Sequence, residues 1–274
     1  MAYAGVNITK NLTIDEIINL YKLGCKTEQN IGMEYERIVV DKNSSKSVSY
    51  YGLFGVCEML KEVAEIDNWD YILDNNEIIG LKKLHDTITL EPGSQVELSI
   101  EPQKTVKALK DKADEIDKVL NSVFNKYDAK LLNYGITPVS TYQNINLIPK
   151  KRYKYMADYL WGILSDVMMR ETAGIQVGID FSSEEDAISK LHLAGLISPF
   201  MTAMFANSKM RGGVDTGYKS FRALAWLNTD NDRCGLATCI GQDNSFEKYV
   251  RDVLDVPVIY FVRDNKIRYV NVTD

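Results

Sequence analysis

The sequence lacks the segments that would place the chain in a membrane, route it out of the cell or bind it to nucleic acid. No apolar run approaches the roughly eighteen residues needed to span a bilayer. The initial MAYAGVNITKNLTID has neither the basic segment nor the apolar core of a secretory signal. The formal charge is −6, and no Lys/Arg cluster dominates one segment. These absences predict a cytoplasmic protein with small-molecule partners and no nucleic-acid or membrane partner.

The signatures of several enzyme classes are missing as well. The two histidines, His85 and His192, are far apart in sequence and have no serine elbow, which argues against a hydrolytic triad. No Walker-type GxxxxGK motif occurs. The cysteines form no CxxC pair and have no histidine at ligand spacing, so we expect reduced thiols at Cys25, Cys57, Cys234 and Cys239.

Helical and strand patterns alternate irregularly along the chain. We predict helices over 13–24, 53–65 and 105–127, and further helices that start near Lys150 and at Ser198-Pro199. Strands are predicted over 31–40, 69–73, 77–82, 87–100, 130–136 and 174–181. No regular βαβ unit and no Pro/Gly/Ser-rich linker is present. The pattern favours the α+β class, with a mostly antiparallel sheet backed by helices, and a single domain over 1–274.

Three predicted strands carry carboxylates or amides on one face. In strand register from Ile88 to Ile100, one face is apolar and the other carries Thr89, Glu91, Gln95, Glu97 and Ser99. In IGMEYERIVV, Glu34 and Glu36 point the same way as the apolar Ile38 and Val40. In GIQVGIDF, Gln176 and Asp180 flank Gly178, opposite a predicted core face made of Ile175, Val177, Ile179 and Phe181.

Side by side, these strands would form an acidic floor. Crowded carboxylates raise each other's pKa values unless a cation keeps them ionised, and hard oxygen ligands on rigid strands suit Mg²⁺. The alternative, that these acids only face solvent on half-exposed strands, stays open.

Basic residues also suit phosphate or carboxylate binding. The segment SFRALAW is predicted to place Ser220 and Arg222 on one strand face, and TDNDRCG places Arg233 in a polar turn.

Several motifs occur together in the order and approximate spacing of a known family. They are IGMEYER, TLEPGSQVELS, PKKRYKYM, MMRETAGIQVGIDFSSEED, TAMFANS, SFRALAW and TDNDRCG. In this respect the chain resembles the plant and bacterial type of glutamate–cysteine ligase, or γ-glutamylcysteine synthetase, from about Ile14 to Ile267. The resemblance implies a fold like that of glutamine synthetase, with a curved, mostly antiparallel sheet.

The resemblance also implies a reaction and a set of site residues. ATP, with Mg²⁺, would phosphorylate the γ-carboxylate of glutamate, and the amino group of cysteine would then displace phosphate, as in the first step of glutathione synthesis. The implied metal ligands are Glu34, Glu36, Glu91 and Glu97. The implied substrate and ATP contacts are Lys150, Arg152, Gln176, Asn207, Ser220 and Arg222, and the implied catalytic residues are Arg222 and Arg233.

Two departures from the family pattern leave alternatives open. Plant relatives often read QVNLD where this chain has QVGID, which bears on amino-acid specificity. Family members also continue beyond DVPVIYFVRDN, so we expect an incomplete catalytic domain here, completed by a further C-terminal segment or by self-association. The alternatives are a carboxylate–amine ligase with another amine acceptor, and a truncated, non-catalytic domain that binds nucleotide or amino acid.

Overall fold

A computed structural model describes residues 12–236, 244–263 and 266–269. The chain divides into two compact units. The larger unit comprises Asn30–Ile179 and Phe200–Cys234, and the smaller comprises the described parts of Met1–Gln29, Asp180–Pro199 and Gly235–Asp274. Among the described residues, Cys25, Cys57 and Cys234 are free thiols, as expected, whereas Cys239 lies outside these ranges. None of the described helices is long and apolar enough to span a bilayer.

The larger unit is built on a seven-stranded antiparallel sheet in the order β2-β3-β4-β5-β1-β6, with β7 also paired to β1. The prediction of an α+β fold with a mostly antiparallel sheet is therefore confirmed, as is the meander of strands between residues 69 and 100. The strands are β1 (Ile31–Asp41), β2 (Asp70–Asp74), β3 (Glu77–Lys83), β4 (Asp86–Leu90), β5 (Val96–Gln103), β6 (Ala129–Leu132) and β7 (Ile175–Ile179).

Helices cover one face of this sheet. The helix α3 (Val106–Lys126) contacts β1, β5 and β6, and α2 (Val56–Asp67) contacts α3 and β3. The helix α3 begins where predicted, because the hydroxyl of Thr105 accepts a hydrogen bond from the backbone N–H of Ala108. Its apolar stripe is buried at Leu109, Ala113, Ile116, Leu120, Val123 and Phe124. Together with Ile88, Leu90, Val96, Leu98 and Ile100, which are 0–5% exposed, these residues belong to the core.

Short elements follow β6 in the chain. They are the 3₁₀ helix Tyr142–Asn144, the helices α4 (Lys151–Tyr159) and α5 (Ser165–Glu171), a small hairpin of β8 (Met210–Arg211) and β9 (Val214–Asp215), and α7 (Phe221–Leu227). A longer helix, α6 (Glu184–Met204), continues through Pro199. The prediction of a new helix at Ser198-Pro199 was therefore wrong. Proline cannot donate to the carbonyl of Gly195, and the hydroxyl of Ser198 donates to that oxygen instead, at 3.0 Å.

The smaller unit contains α1 (Ile14–Leu23), α8 (Phe246–Leu254) and the hairpin of β10 (Tyr260–Arg263) and β11 (Lys266–Tyr269). The capping box of Thr13 and Glu16 and the end of α1 at Gly24 are confirmed. Ile18, Phe246 and Val250 form its buried cluster, against which Phe181 packs. Phe181 is thus the one member of the predicted GIQVGIDF core face that packs into a core, although it does so in the smaller unit.

The remaining members of that predicted core face are exposed. Ile175, Val177 and Ile179 on β7 are 60–62% exposed, so the expectation that they form a buried face was wrong. The strand pairs with β1 through Met33 opposite Val177, and its alternation is as predicted. Alternation shows which side chains share a face, but it does not show whether another element covers that face.

Candidate active site

The carboxylates of β1 and β5 lie side by side across the sheet. The strand register sets Glu36 opposite Glu97, and Glu34 opposite Ser99. On its other edge β5 pairs with β4, which sets Thr89 opposite Glu97. The hydroxyl of Thr89 donates to Oε1 of Glu97 at 2.8 Å. The predicted acidic face is therefore present across β1, β4 and β5, with Glu97 at its centre.

Burial and mutual repulsion disfavour the charged forms of these acids. Burial raises the pKa of Glu36 to about 7, and the charges of Glu91 and Glu97 act in the same direction. The pKa of Glu34 is raised by burial and by Glu97. Two neighbouring carboxylates therefore act on Glu36, and both disfavour its charged form.

Glu91 and Gln95 occupy a turn and not a continuous strand. The predicted strand over 87–100 is interrupted between β4 and β5, where Glu91 N–H donates to the carbonyl of Gln95 and Ser94 adopts φ 70°. Gln95 was predicted on the polar face, but it is buried, and its amide donates to the carbonyl of Thr172 at 2.7 Å. Sequence alternation could not reveal this turn, because a residue with positive φ breaks the strand register.

The segment that leads into β7 binds Glu36. The backbone N–H of Gly174 donates to Oε2 of Glu36 at 2.7 Å, and the side-chain amide of Gln176 donates to Oε1 at 3.1 Å. In return, the N–H of Glu36 donates to the carbonyl of Gly174. The predicted proximity of Gln176 to the acidic residues is thereby confirmed, and both oxygens of Glu36 are held in place.

Arg222 lies next to this carboxylate. Its guanidinium is attracted by Glu36, while burial lowers its pKa. An ideal Cβ on Gly174 would come within 2.6 Å of Nη2 of Arg222, so the absence of a side chain at Gly174 leaves space for the guanidinium. Among the described residues, no atom accepts a hydrogen bond from Nε of Arg222, which is buried. Arg222 therefore retains a buried donor that an anionic ligand can use.

The prediction that Ser220 and Arg222 share a strand face was wrong. Ser220 is the N-cap of α7, where its hydroxyl accepts from the N–H of Ala223, and Arg222 lies in the first turn of that helix. The hydroxyl of Ser208 accepts from the N–H of Arg222 at 3.0 Å. Ser220 thus has a structural role as a cap, and its predicted contact with substrate stays a prediction.

A second group of cations lies at Glu91, on the opposite flank of Glu97. Nζ of Lys150 and Nη2 of Arg152 each donate to the hydroxyl of Tyr153 at 3.1 Å, and that hydroxyl lies 2.9 Å from Oε1 of Glu91. Burial and the neighbouring Arg152 lower the pKa of Lys150 to about 8, whereas Glu91 and Glu97 oppose that change. The structure therefore brings Lys150 and Arg152 to Glu91, and their predicted contacts with substrate or ATP stay predictions.

Asn207 and Arg233 have other contacts. The side-chain amide of Asn207 donates to the carbonyl of Asn133, and its own carbonyl accepts from Gly135. Arg233 pairs with Asp230, and its guanidinium lies 5.1 Å from the ring centroid of Tyr159. Neither set of contacts involves the acidic face, so the predicted roles of both residues stay predictions.

The donor chemistry of the acidic face fits a hard divalent cation. Glu34, Glu36, Glu91 and Glu97 offer only carboxylate oxygens, and the raised pKa values of Glu34, Glu36 and Glu91 show that added positive charge would be favourable. Nowhere in the described ranges, however, are three His, Cys, Asp or Glu side chains grouped closely enough to hold a metal ion. The assignment of these four glutamates as metal ligands stays a prediction.

Two buried residues with several polar partners, Glu171 and Tyr153, were not predicted from the sequence. Glu171 is fully buried, where Arg211 binds it in a two-point pair with N–O distances of 2.6 and 2.8 Å, and the N–H of Tyr142 donates to it. Tyr153 was also missed, although PKKRYKYM contains it. Its position within a quoted motif, beside Lys150 and Arg152, was the only available signal, because its carboxylate partner Glu91 is 62 residues away in the chain.

The sequence was compared with known families and proteins. Residues 30–273 match the model of the family described as glutamate-cysteine ligase family 2 (GCS2). The chain is 35% identical to glutamate–cysteine ligase A, chloroplastic, of Oryza sativa subsp. indica over 273 residues, which is 98% of this chain and 54% of the relative. It is 34% identical to glutamate–cysteine ligase, chloroplastic, of Arabidopsis thaliana over 263 residues, or 94% of this chain and 50% of the relative.

The chain spans about half the length of the curated relatives it matches. The family match nevertheless covers the sheet and both groups of cations, from β1 through Arg222. By this match, the chain belongs to glutamate–cysteine ligase family 2.

Proposed function

We propose that this chain carries the site of an ATP- and Mg²⁺-dependent ligase that joins the γ-carboxylate of glutamate to the amino group of cysteine. The reaction would proceed through γ-glutamyl phosphate, as the first step of glutathione synthesis. The names of the relatives support the two amino-acid substrates, since those proteins are glutamate–cysteine ligases. The nucleotide, the metal and the phosphorylated intermediate are part of the proposal.

One observation carries the proposal: a row of carboxylates has cations at both ends. Glu36 and Glu97 are registered across β1 and β5, Arg222 lies beside Glu36, and Lys150 acts on Glu91 and Glu97. A solvated sheet face has no need for half-buried cations next to acids whose pKa values are raised. A site for phosphoryl transfer does need both, because it must neutralise a polyphosphate and orient a carboxylate.

Each group has a role in the proposed reaction. Mg²⁺, held by Glu34, Glu36, Glu91 and Glu97, would neutralise charge on the phosphates of ATP. Arg222 would bind the substrate carboxylate or the transferred phosphoryl group, with its buried Nε among the donors. Lys150 and Arg152 would bind the phosphates on the side of Glu91. Gln176 would fix Glu36 so that the carboxylate keeps one orientation.

The experiment is an assay for ADP and γ-glutamylcysteine, run on the purified chain alone and on the chain completed by a further segment or by self-association, with activity expected in the completed sample. We expect both products only when glutamate, cysteine, ATP and Mg²⁺ are present together, and we expect their loss in Glu97→Gln. Glu115→Gln, an exposed acid on α3, is the matched control. ADP formation that does not require either amino acid would contradict the proposal.

The same assay separates the alternatives. A panel of amines in place of cysteine would reveal a carboxylate–amine ligase with another acceptor. Calorimetric binding of Mg²⁺-ATP or glutamate without turnover would favour a non-catalytic binding domain.

The relatives named here are chloroplastic. A cytoplasmic location for this chain remains a proposal, which microscopy of a tagged chain in its own cell would test.

A further inference from the structure

Tyr153 connects three charged side chains of the candidate site through one oxygen atom. Its side chain is buried, at 2% exposure, in the first turn of α4. The hydroxyl lies 2.9 Å from Oε1 of Glu91 and accepts hydrogen bonds from Lys150 and Arg152 at 3.1 Å each. Both cations also lie over the ring, whose centroid is 4.6 Å from Nζ of Lys150 and 4.9 Å from Cζ of Arg152.

The direction of these hydrogen bonds follows from what a phenol can do. Its oxygen has two lone pairs and one proton. Lys150 and Arg152 can only donate, so they occupy the lone pairs, and the proton is left for an acceptor. Oε1 of Glu91 is closer than the carbonyl of Leu90, which lies at 3.3 Å, and it carries charge. The hydroxyl therefore donates to Glu91, and both of its lone pairs and its proton are engaged in hydrogen bonds.

We propose that Tyr153 is a positioning residue of the nucleotide site, which fixes the carboxylate of Glu91 and holds Lys150 and Arg152 beside it before Mg²⁺-ATP binds. This inference rests on the proposed function and adds a residue to it. Without the hydroxyl, two half-buried cations would lose a shared acceptor and Glu91 would lose a donor. Each would then adopt other rotamers, and binding of the nucleotide would have to restore the arrangement.

Tyr50 offers a direct comparison with Tyr153. It is also 2% exposed, and its hydroxyl donates to the backbone carbonyl of Ile78 at 2.9 Å. Removal of the hydroxyl from either residue costs one buried hydrogen-bonding group. Only at Tyr153 does the oxygen contact charged side chains of the candidate site. A purely structural role for Tyr153 would therefore make the two substitutions equivalent.

The test measures Mg²⁺-ATP and glutamate binding by calorimetry for the full chain, Tyr153→Phe and Tyr50→Phe. We expect Tyr153→Phe to weaken Mg²⁺-ATP binding about tenfold, the effect of one hydrogen bond to a charged group, with little change in glutamate binding. Tyr50→Phe should leave both affinities unchanged. A parent chain that binds no Mg²⁺-ATP would overturn this inference together with the proposed function. Equal nucleotide binding by the parent and Tyr153→Phe would overturn the inference alone.

A double-mutant cycle with Glu91→Gln tests whether Tyr153 acts through Glu91. If it does, the loss in Tyr153→Phe/Glu91→Gln is smaller than the product of the two single losses. Additive losses would overturn the positioning role. If Tyr153→Phe does not fold, the cycle is made with Lys150→Met and Glu91→Gln. The shared hydroxyl predicts coupling between those two residues, and independent effects would overturn the inference in the same way.

Discussion

The two strands that flank the first half of β1 have the same alternating pattern and opposite surroundings. On β5, Val96, Leu98 and Ile100 are buried beneath α3, at 0–5% exposure. On β7, Ile175, Val177 and Ile179 alternate equally well and are 60–62% exposed. Both strands nevertheless present polar residues on their other face, where Glu97 and Gln176 lie near Glu36. The polar face around Glu36 thus extends over a covered strand and an uncovered one.

Strand register decides which polar side chains of this sheet lie close together. Burial of its apolar side chains depends on whether a helix packs against them. Antiparallel pairing sets Glu97 opposite Glu36 and Gln176 opposite Glu34, from where the amide of Gln176 reaches Oε1 of Glu36. Burial of Leu98 needs α3 as well. The contributions of the two strands to stability should therefore differ far more than their contributions to the site.

The largest effect is expected on the covered strand. Leu98→Ala removes a side chain that is fully buried beneath α3, and we expect the free energy of unfolding to fall by about 3 kcal/mol, since the core there cannot close the cavity. Urea unfolding of the parent and the variant measures this. Leu73→Ala on β2, where the side chain is 54% exposed, is the control. If Leu98→Ala lowers the free energy of unfolding by less than about 1 kcal/mol, the side chain of Leu98 is not part of a tightly packed core beneath α3.

The next effect concerns Glu36, where the polar faces of both strands meet. Its folded-state pKa of about 7 lies above the ordinary glutamate value of 4.5. The folded state therefore holds this proton more tightly than the unfolded state, and stability falls as the pH rises between these two values. We expect a loss of about 2 to 3 kcal/mol over that window in metal-free buffer.

Unfolding at about pH 5 and about pH 8 with a chelator measures this loss. Glu36→Gln should remove the part of the pH dependence that comes from this residue, while Glu115→Gln should preserve it. Added Mg²⁺ should stabilise the parent at the higher pH and have less effect on Glu36→Gln. Identical pH profiles for the parent and Glu36→Gln would count against a carboxylate with a raised pKa at this position.

A smaller effect is expected from Arg222→Lys, on the side of β7. An ammonium cannot reproduce the two-point geometry of a guanidinium, so we expect glutamate binding or the chemical step to weaken about tenfold. Arg251→Lys provides the control, because Arg251 is an exposed residue of α8 that pairs with Glu247. Unchanged kinetics or binding in Arg222→Lys would remove Arg222 from the site.

Local signals in the sequence were sufficient for much of the fold. The helix α1 begins at the capping box of Thr13 and Glu16 and ends at Gly24, through contacts within a few residues. The apolar stripe of α3 repeats at helical spacing over its whole length. The placement of Glu36 and Glu97 on polar strand faces followed from alternation once both strands were recognised. These features were predictable because each one depends on neighbours in sequence or on the two-residue period of a strand.

Other features depend on distant parts of the chain and could not be predicted in this way. The seven residues SFRALAW fit a strand or a helix, and the choice was decided by the cap at Ser220 and the hydroxyl of Ser208. Gln95 is buried because Thr172 accepts from its amide. Tyr153 contacts Glu91 only because α4 packs against the turn that contains this acid, 62 residues away in sequence.

The smallest effect is expected on the uncovered strand, and a matched pair of substitutions isolates it. Val96→Thr and Val177→Thr make the same isosteric change on the two strands that flank β1, opposite Arg37 and Met33 respectively. At Val96, which is 0% exposed, the new hydroxyl enters the core, and we expect a cost of about 1 to 3 kcal/mol. At Val177, which is 62% exposed, water can bind the hydroxyl and threonine suits a strand, so the change should stay within about 0.5 kcal/mol. Urea unfolding of both variants measures the difference. Equal costs would mean that the apolar face of β7 is covered in solution, and sedimentation at several protein concentrations would then show whether a second copy of the chain covers it.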